Sequence, residues 1–342
     1  MDLKHKNNQN RHGFDMNYLP DDIDFAAYLA ETEHKQTIVH ASQFLQTLKD
    51  SYRNKDTSNR IYLPWEKTRS LYHFRPGELT IWAGENSSGK TLVMLQVILS
   101  LLGQQQKLCL ASLEMTAGET FSRMLRLYSH ICFGDEDIQL TKDEIEVLDK
   151  TAEDMIGFSQ KMWLFHKMGD VTAKSVLGAM RYSIDNFGVQ HFIIDNLQKV
   201  VSGTDNYNGE KDFVSSIFDI AKDTGCHVHL VHHTKKLEKS GTTPDKNDIK
   251  GSSSITDIAD SAFVVWRNKL KELEVETKGD LAQKIDEPDS FIRCIKQRHY
   301  SGSKSGEQTV GLYFDKASTQ LKGHKSAALM EYYKAWPHGV YQ

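Results

Sequence analysis

The sequence predicts an α/β fold: a mainly parallel, twisted sheet with helices on both faces, preceded by a short helical arm. Three observations lead there. From Tyr62 onward, short apolar runs alternate with longer segments whose apolar residues recur at helical spacing. One junction, between ELTIWA and KTLVMLQVILSLL, reads GENSSGKT (Gly84–Thr91) and fits G-x-x-x-x-G-K-[ST]. The chain has 342 residues, 39% hydrophobic and 26% charged, which suits one large globular domain with an appendage.

Residues 1 to about 35 are polar, with an acidic second half (PDDIDFAAYLAETE), and are read as weakly ordered. In IVHASQFLQTLKDSYRNK, residues Ile38, Phe44, Leu45, Leu48 and Tyr52 share one helical face. That helix packs either on its own domain or on a neighbouring subunit. RNKDTSNR reads as a linker. ELTIWAG is then a strand, KTLVMLQVILSLL a helix and KLCLASLEM a second strand. GETFSRMLRLYSHICF and KDEIEVLDKTAEDMIGFSQ are helices, MWLFHK a strand, AKSVLGAMRYSIDNFG a helix, VQHFIIDNLQ a strand and DFVSSIFDIAKDTG a helix. CHVHLVHH, DSAFVVWRN, FIRCIKQR and TVGLYFD complete the strands. The tail, HKSAALMEYYKAWPHGVYQ, is expected to be a short helix ending in aromatics. The expected divisions are an arm over 1–58, the α/β domain over 59–318 and a tail over 319–342.

Composition narrows the functional classes. No apolar run reaches the roughly 18 residues of a membrane span, and the N-terminus MDLKHKNNQNRHG lacks the apolar core of a secretory signal. Cys109, Cys132, Cys226 and Cys294 lie far apart without a C-x-x-C pair, which points to a reduced, cytoplasmic setting. The net charge is −4, so any nucleic-acid contact has to come from a local patch.

The chemistry starts at the P-loop. Backbone N–H groups of Gly84, Glu85, Asn86, Ser87, Ser88 and Gly89, with the following helix N-terminus, form a phosphate cradle. Lys90 is placed to reach the β- and γ-phosphates of ATP, and the Thr91 hydroxyl to hold Mg²⁺. The second Mg²⁺ residue is the acid ending HFIID, Asp195. Glu114, at the end of KLCLASLEM, faces the same crevice because active residues collect at the carboxyl ends of parallel strands. A carboxylate there can polarise an attacking water. Four histidines crowd the next strand. His233 at its end is read as a γ-phosphate reader and His227 and His229 as lining residues, while His232 competes with His233 for that role. No acid or cysteine stands at metal-ligand spacing from them. The loop TKKLEKSGTTPDKNDIKGSSS carries Lys235, Lys236, Lys239, Lys246 and Lys250, which suit a polyphosphate backbone, although interspersed acids also allow a solvated loop. Lys296 and Arg298, two apart on one strand face, are either an exposed salt-bridging edge or cations for a neighbour's phosphate.

Together these segments resemble the replicative hexameric helicases of the DnaB type, and within them the phage primase-helicase and Twinkle branch. The resemblance spans about 60–318 and rests on GENSSGKT, SLEM, HFIIDNLQ, VHHTKK with DIKGSSSITDIADSAFVVWRN, and IKQRHYSG, in that order. It implies a RecA-like core. It assigns phosphate and Mg²⁺ to Lys90 and Thr91, the catalytic carboxylate to Glu114, the Walker B acid to Asp195 and the γ-phosphate sensor to His233. Arg298 falls at the arginine finger that acts across a subunit interface, with Lys296 its companion. Arg267 and Phe314 fall where the base is sandwiched, and Gln198, in the Twinkle-like run D-N-L-Q, joins the nucleotide set. The loops holding Asn206 and Lys211, and Lys235 to Lys250, match those that track single-stranded DNA, with Lys235 and Lys236 foremost. The 38–53 helix falls at the subunit-linking helix. The implied assembly is a homo-hexamer or heptamer on single-stranded DNA, in a bacterial or phage-infected cytoplasm or in mitochondria, without a membrane. No priming domain or zinc-ribbon cysteine set is recognised, so priming is expected from a separate primase or polymerase. The alternative is a RecA- or KaiC-like ATPase acting as a filament or accessory assembly factor.

Overall fold

The computed structural model describes residues 60–131, 140–165, 171–201, 207–234, 253–299 and 309–332, with Asp24, Phe25, Tyr28, Leu29, Leu45, Lys49 and Ile249. The expected α/β fold is found. Among the described residues the strands are β1 Ile61–Tyr62, β2 His73–Phe74, β3 Leu79–Gly84, β4 Leu108–Ser112, β5 Met162–Leu164, β6 His191–Asp195, β7 His227–His233, β8 Ser261–Arg267, β9 Ser290–Gln297, β10 Thr309–Phe314 and β11 Leu321–Lys322. The helices are α1 Lys90–Gly103, α2 Ala117–Ser129, α3 Lys142–Phe158, α4 Ala173–Phe187, α5 Tyr207–Thr224, α6 Ser253–Ile258 and α7 Lys269–Lys278.

Nine strands form one sheet in the order β11-β10-β9-β8-β3-β7-β6-β4-β5. The six from β8 to β5 are parallel; β9, β10 and β11 continue one edge antiparallel. β3 is buried at every position, as a strand covered on both faces must be. Its side chains alternate between two cores: Trp82 joins Val93 of α1, Met124 of α2 and Met155 of α3, whereas Leu79 and Ile81 join Val176 of α4, Val214 of α5 and Ile255 of α6. Helices α2, α3 and α4 start at threonine caps (Thr116, Thr141, Thr172) whose side chains accept the N–H three residues on. Each such cap stabilises its helix by about 1 kcal/mol.

Four expectations change. Phe25 is not loose. It is 8% exposed and its ring meets those of Phe165 and Tyr182 at 5.9 and 5.8 Å. Gly178 of α4 admits this approach, since a Cβ there would lie 1.8 Å from the Phe25 carbonyl oxygen. The described tail, 323–332, is not helical. β11 instead adds to the sheet, and Gln96 of α1 bonds Leu321 N–H at 2.8 Å and the Tyr332 hydroxyl at 3.0 Å, so the expected boundary at 318 falls inside the packed domain. His227 and His229 are 1% and 0% exposed and stack with His191 beneath Phe74, so they are core residues rather than lining ones. Finally, α7 was not expected, because KLKELEVETK offers no apolar stripe to read. The 38–53 stretch is described only at Leu45 and Lys49, both helical.

Candidate functional site: a nucleotide cradle and a distant pair of cations

The carboxyl ends of β3, β4, β6 and β7 are level: Gly84 is in register with His233, and Ser112 with Asp195. The P-loop leaves β3 at this edge. Gly84 has no room for a side chain, since a Cβ would sit 2.4 Å from Ser88 Oγ and 2.5 Å from the Val265 carbonyl. Ser87 and Gly89 take φ of 61° and 91°, which turn successive backbone N–H groups toward one point. Asn86 and Ser87 are exposed, and Ser88 is buried with no hydrogen bond at its Oγ. Lys90 is 7% exposed, and its ammonium donates to the Gly84 and Glu85 carbonyls at 2.9 and 2.7 Å. Burial lowers its pKa.

Beside it, Thr91 Oγ1 donates to Asp195 Oδ2 at 3.2 Å, while Asp195 Oδ1 is buried without a hydrogen bond. Burial, then the nearby Glu114 charge, push the Asp195 carboxyl up to about 6, against the Thr91 bond and the charges of Lys90 and Arg123. A buried ammonium resting on loop carbonyls and an orphaned carboxylate oxygen are groups that a nucleotide triphosphate and a divalent cation would satisfy, so the residues fit both.

Three residues of this site escape sequence reading. The Asn196 amide donates to Glu114 Oε1 and lies 2.8 Å from His233 Nε2, tying the β4, β6 and β7 ends together. Glu114 and His233 themselves are 3.8 Å apart. His233 therefore points into the site, whereas its neighbour His232 is fully buried. Arg123 lies on α2, one turn past Thr120, whose hydroxyl is 3.4 Å from Ser112 Oγ; this puts its charge within reach of Asp195. Lys269, the first residue of α7, forms an ion pair with the P-loop residue Glu85 at 2.7 Å.

The expected base-binding pair occupies the same edge. Arg267 ends β8, exposed and 2.7 Å from Glu272, and Phe314 ends β10 at 40% exposure. Gln198 lies in a 3-10 turn just after Asp195, half-buried. Lys211 is exposed in the first turns of α5. Asn206, Lys235, Lys236, Lys239, Lys246 and Lys250 lie outside the described residues.

Lys296 and Arg298 are not brought to this edge. Lys296 is opposite Ala262 and Gln297 opposite Ser261, which itself pairs with Thr80 near the start of β3. Both cations sit at the sheet's other end and cover the C-terminus of α6. Lys296 donates to the Thr256 and Asp257 carbonyls at 2.7 and 2.8 Å, and Arg298 to those of Asp257 and Ile258 at 3.2 Å each. Cations belong at such carbonyls.

Comparisons with known proteins agree with this geometry. The chain is 24% identical over 221 residues to a chloroplastic/mitochondrial Twinkle homolog protein of Arabidopsis thaliana, covering 60% of this chain and 30% of that protein. It is 27% identical over 232 residues to the replicative DNA helicase DnaB of Helicobacter pylori, covering 62% and 46%. The chain thus spans less than half the length of these relatives. Two solved structures share the fold. One is an ATPase domain, with TM-score 0.67, 17% identity and 83% and 99% coverage. The other is a DnaB-like replicative helicase described with its primase interactions, with TM-score 0.66, 18% identity and 83% and 68% coverage. The model of the DnaB-like helicase C-terminal domain matches residues 68–322, most of the sheet and the whole cradle, and the chain belongs to that family.

Proposed function

We propose that this chain is an ATP-driven motor of DNA replication: a ring of identical subunits, six or seven in number, that moves along single-stranded DNA and separates the duplex. The observation that carries this reading is the division of a hydrolytic set between the two ends of one sheet. Lys90, Thr91, Asp195, Glu114 and His233 stand at the carboxyl edge, and Lys296 and Arg298 at the amino edge. β3 alone, six residues long, spans about 20 Å between them. No side chain bridges that distance, so in this reading it is a second copy that brings its cations to the cradle.

In this reading Lys90 exchanges the Gly84 and Glu85 carbonyls for the β- and γ-phosphates. Thr91 Oγ1 and Asp195 would hold Mg²⁺, which when bound neutralises charge on the phosphates. Glu114 orients the attacking water, held in place by the Asn196 amide. His233, on the far side of that amide, reports the γ-phosphate to Glu114. Arg267 and Phe314 flank the base, and Lys211 with the loops beside it follows the DNA backbone. The working compartment is a bacterial or phage-infected cytoplasm.

The test is the ATP hydrolysis rate with and without single-stranded DNA, over a range of protein concentrations, for the wild type and Arg298→Ala. The expected result is a DNA-stimulated rate that climbs cooperatively with concentration and is lost in Arg298→Ala while nucleotide binding persists. A rate indifferent to DNA and to concentration overturns the shared-site motor and favours an accessory ATPase.

A further inference from the structure

We propose that Asp260 is a positioning residue for the cation delivered to the neighbouring subunit: it fixes the Arg298 guanidinium and ties it to the strand that carries its own subunit's P-loop. The proposal rests on the reading of Arg298 as a group acting across the interface.

Asp260 stands just before β8 and is fully buried. Its two carboxylate oxygens divide their work. Oδ1 accepts from Arg298 Nη1 at 3.0 Å. Oδ2 accepts from the backbone N–H of Leu79, the first residue of β3, at 3.0 Å, and from Lys222 Nζ of α5 at 3.0 Å. The backbone repeats the pattern: Asp260 N–H donates to the Leu79 carbonyl at 3.0 Å and its carbonyl accepts from Arg298 N–H at 2.8 Å. Below both cations lies one ring, Phe218 of α5, 4.9 Å from Lys222 Nζ and 5.6 Å from Arg298 Cζ. One buried residue therefore joins the root of β3, the end of α5 and the end of β9.

A buried ion pair often serves packing alone, and then the charged groups close on each other. Here they do not. The Arg298 side chain is 40% exposed. Its guanidinium has five N–H donors, and the contacts to Asp260, Asp257 and Ile258 use one on Nη1 and two on Nη2. Among the described residues the Nε–H makes no hydrogen bond, and it remains for an acceptor approaching from outside. The carboxylate fixes the plane of the guanidinium, and the direction in which that N–H donates to a phosphate depends on that plane. A shift of β3 at its root reaches Arg298 through one side chain.

The experiment mixes subunits. In an assembly of Lys90→Ala and Arg298→Ala chains, a site made from the intact cradle of one and the intact Arg298 of the other is complete. This control pair is expected to recover DNA-stimulated hydrolysis above the sum of the separate rates; if it does not, the shared-site reading fails and this proposal with it. With the control positive, Asp260→Asn is tested alone and mixed with Lys90→Ala. Alone, its kcat is expected to fall about 10²-fold, the cost of misplacing a catalytic group by about 1 Å, with ATP affinity unchanged. Mixed, it is expected to recover hydrolysis as the control does, because its own cradle is intact and the neighbour supplies a well-held Arg298. No recovery in the mixture, or a loss of ATP affinity instead of kcat, overturns the proposal by showing that Asp260 serves its own cradle or only the fold. If Asp260→Asn does not fold, Asp260→Glu keeps the buried charge and displaces the carboxylate from Arg298 by one methylene. A lowered kcat that recovers in the mixture supports the proposal, and an unchanged rate, or a loss without recovery, overturns it.

Discussion

The two ends of the central sheet handle charge in opposite ways. At the carboxyl edge the polar groups are under-supplied: Asp195 Oδ1 and Ser88 Oγ are buried without hydrogen bonds, and Lys90 rests on carbonyls of its own loop. At the amino edge Asp260 bonds through both oxygens, and Lys296 and Arg298 are spread over the α6 carbonyls. Exceptions there are Ser261 Oγ, buried without a hydrogen bond, and Glu78, a carboxylate 2% exposed that burial lifts to about 7 despite Arg75. Buried groups lacking partners cost free energy, and a fold keeps them where a ligand will complete them. In the proposed assembly one edge receives a ligand and the other holds its cations for a neighbouring copy.

The largest effect should come from the edge farthest from the cradle. Arg298→Ala is expected to lower DNA-stimulated hydrolysis about 10³–10⁵-fold, the range of an arginine finger, with nucleotide affinity retained in a binding titration. If affinity fell in the isolated subunit, Arg298 would belong to its own cradle and the contrast between the edges would break. Glu114→Gln at the receiving edge should cost about 10²–10⁴-fold, as for a general base. Isothermal titration should show ATP still bound, and a near-normal rate would remove Glu114 from the chemistry.

A third test compares stability with activity. The Asp195 carboxyl is raised from 3.8 to about 6, so between those values the folded protein binds more protons than the unfolded chain. Stability therefore falls as pH rises through this window, and above it the cost is complete, on the order of 3 kcal/mol. Without nucleotide, Asp195→Asn should melt higher than the wild type at pH 7.5, and the difference should close near pH 4. It should be inactive at every pH. A lower melting temperature at pH 7.5 would mean that the edge is not under-supplied. The smallest effect is expected for Thr116→Ala, which removes the cap of the helix bearing Arg123 and should lower stability by about 1 kcal/mol in denaturant unfolding.

How much of this the sequence disclosed depended on whether a feature is set locally. The P-loop was readable because a backbone cradle needs glycine and small residues at fixed offsets, and the buried strands because continuous apolar runs have few alternatives. Asn196 was not, since its value lies in two partners 82 and 37 residues away that only sheet order brings together. Asp260 reads locally as an acid before a strand, and its role exists only where β3, α5 and β9 meet. The tail reads as a short helix in the sequence, whereas Tyr332 is placed by a contact with Gln96, 236 residues away, that no local pattern discloses. DNA tracking by Lys211 and by the lysines after His233 is a reading of the sequence; of these residues only Lys211 is among those described, exposed on α5.

The histidine stack beneath Phe74 sets an acid limit for the fold. His191, His227 and His229 are buried and held neutral, His227 with its pKa lowered to about 4 and the other two well below their usual value, chiefly by burial. The unfolded chain would protonate all three near their ordinary pKa of about 6.5. Acidification below that point therefore draws protons onto the unfolded form and erodes the fold from inside the sheet, even as Asp195 gains from the same change. A preparation of this protein should take up protons on unfolding at pH 5.5 from these three rings, so its melting enthalpy there should depend on the ionisation heat of the buffer.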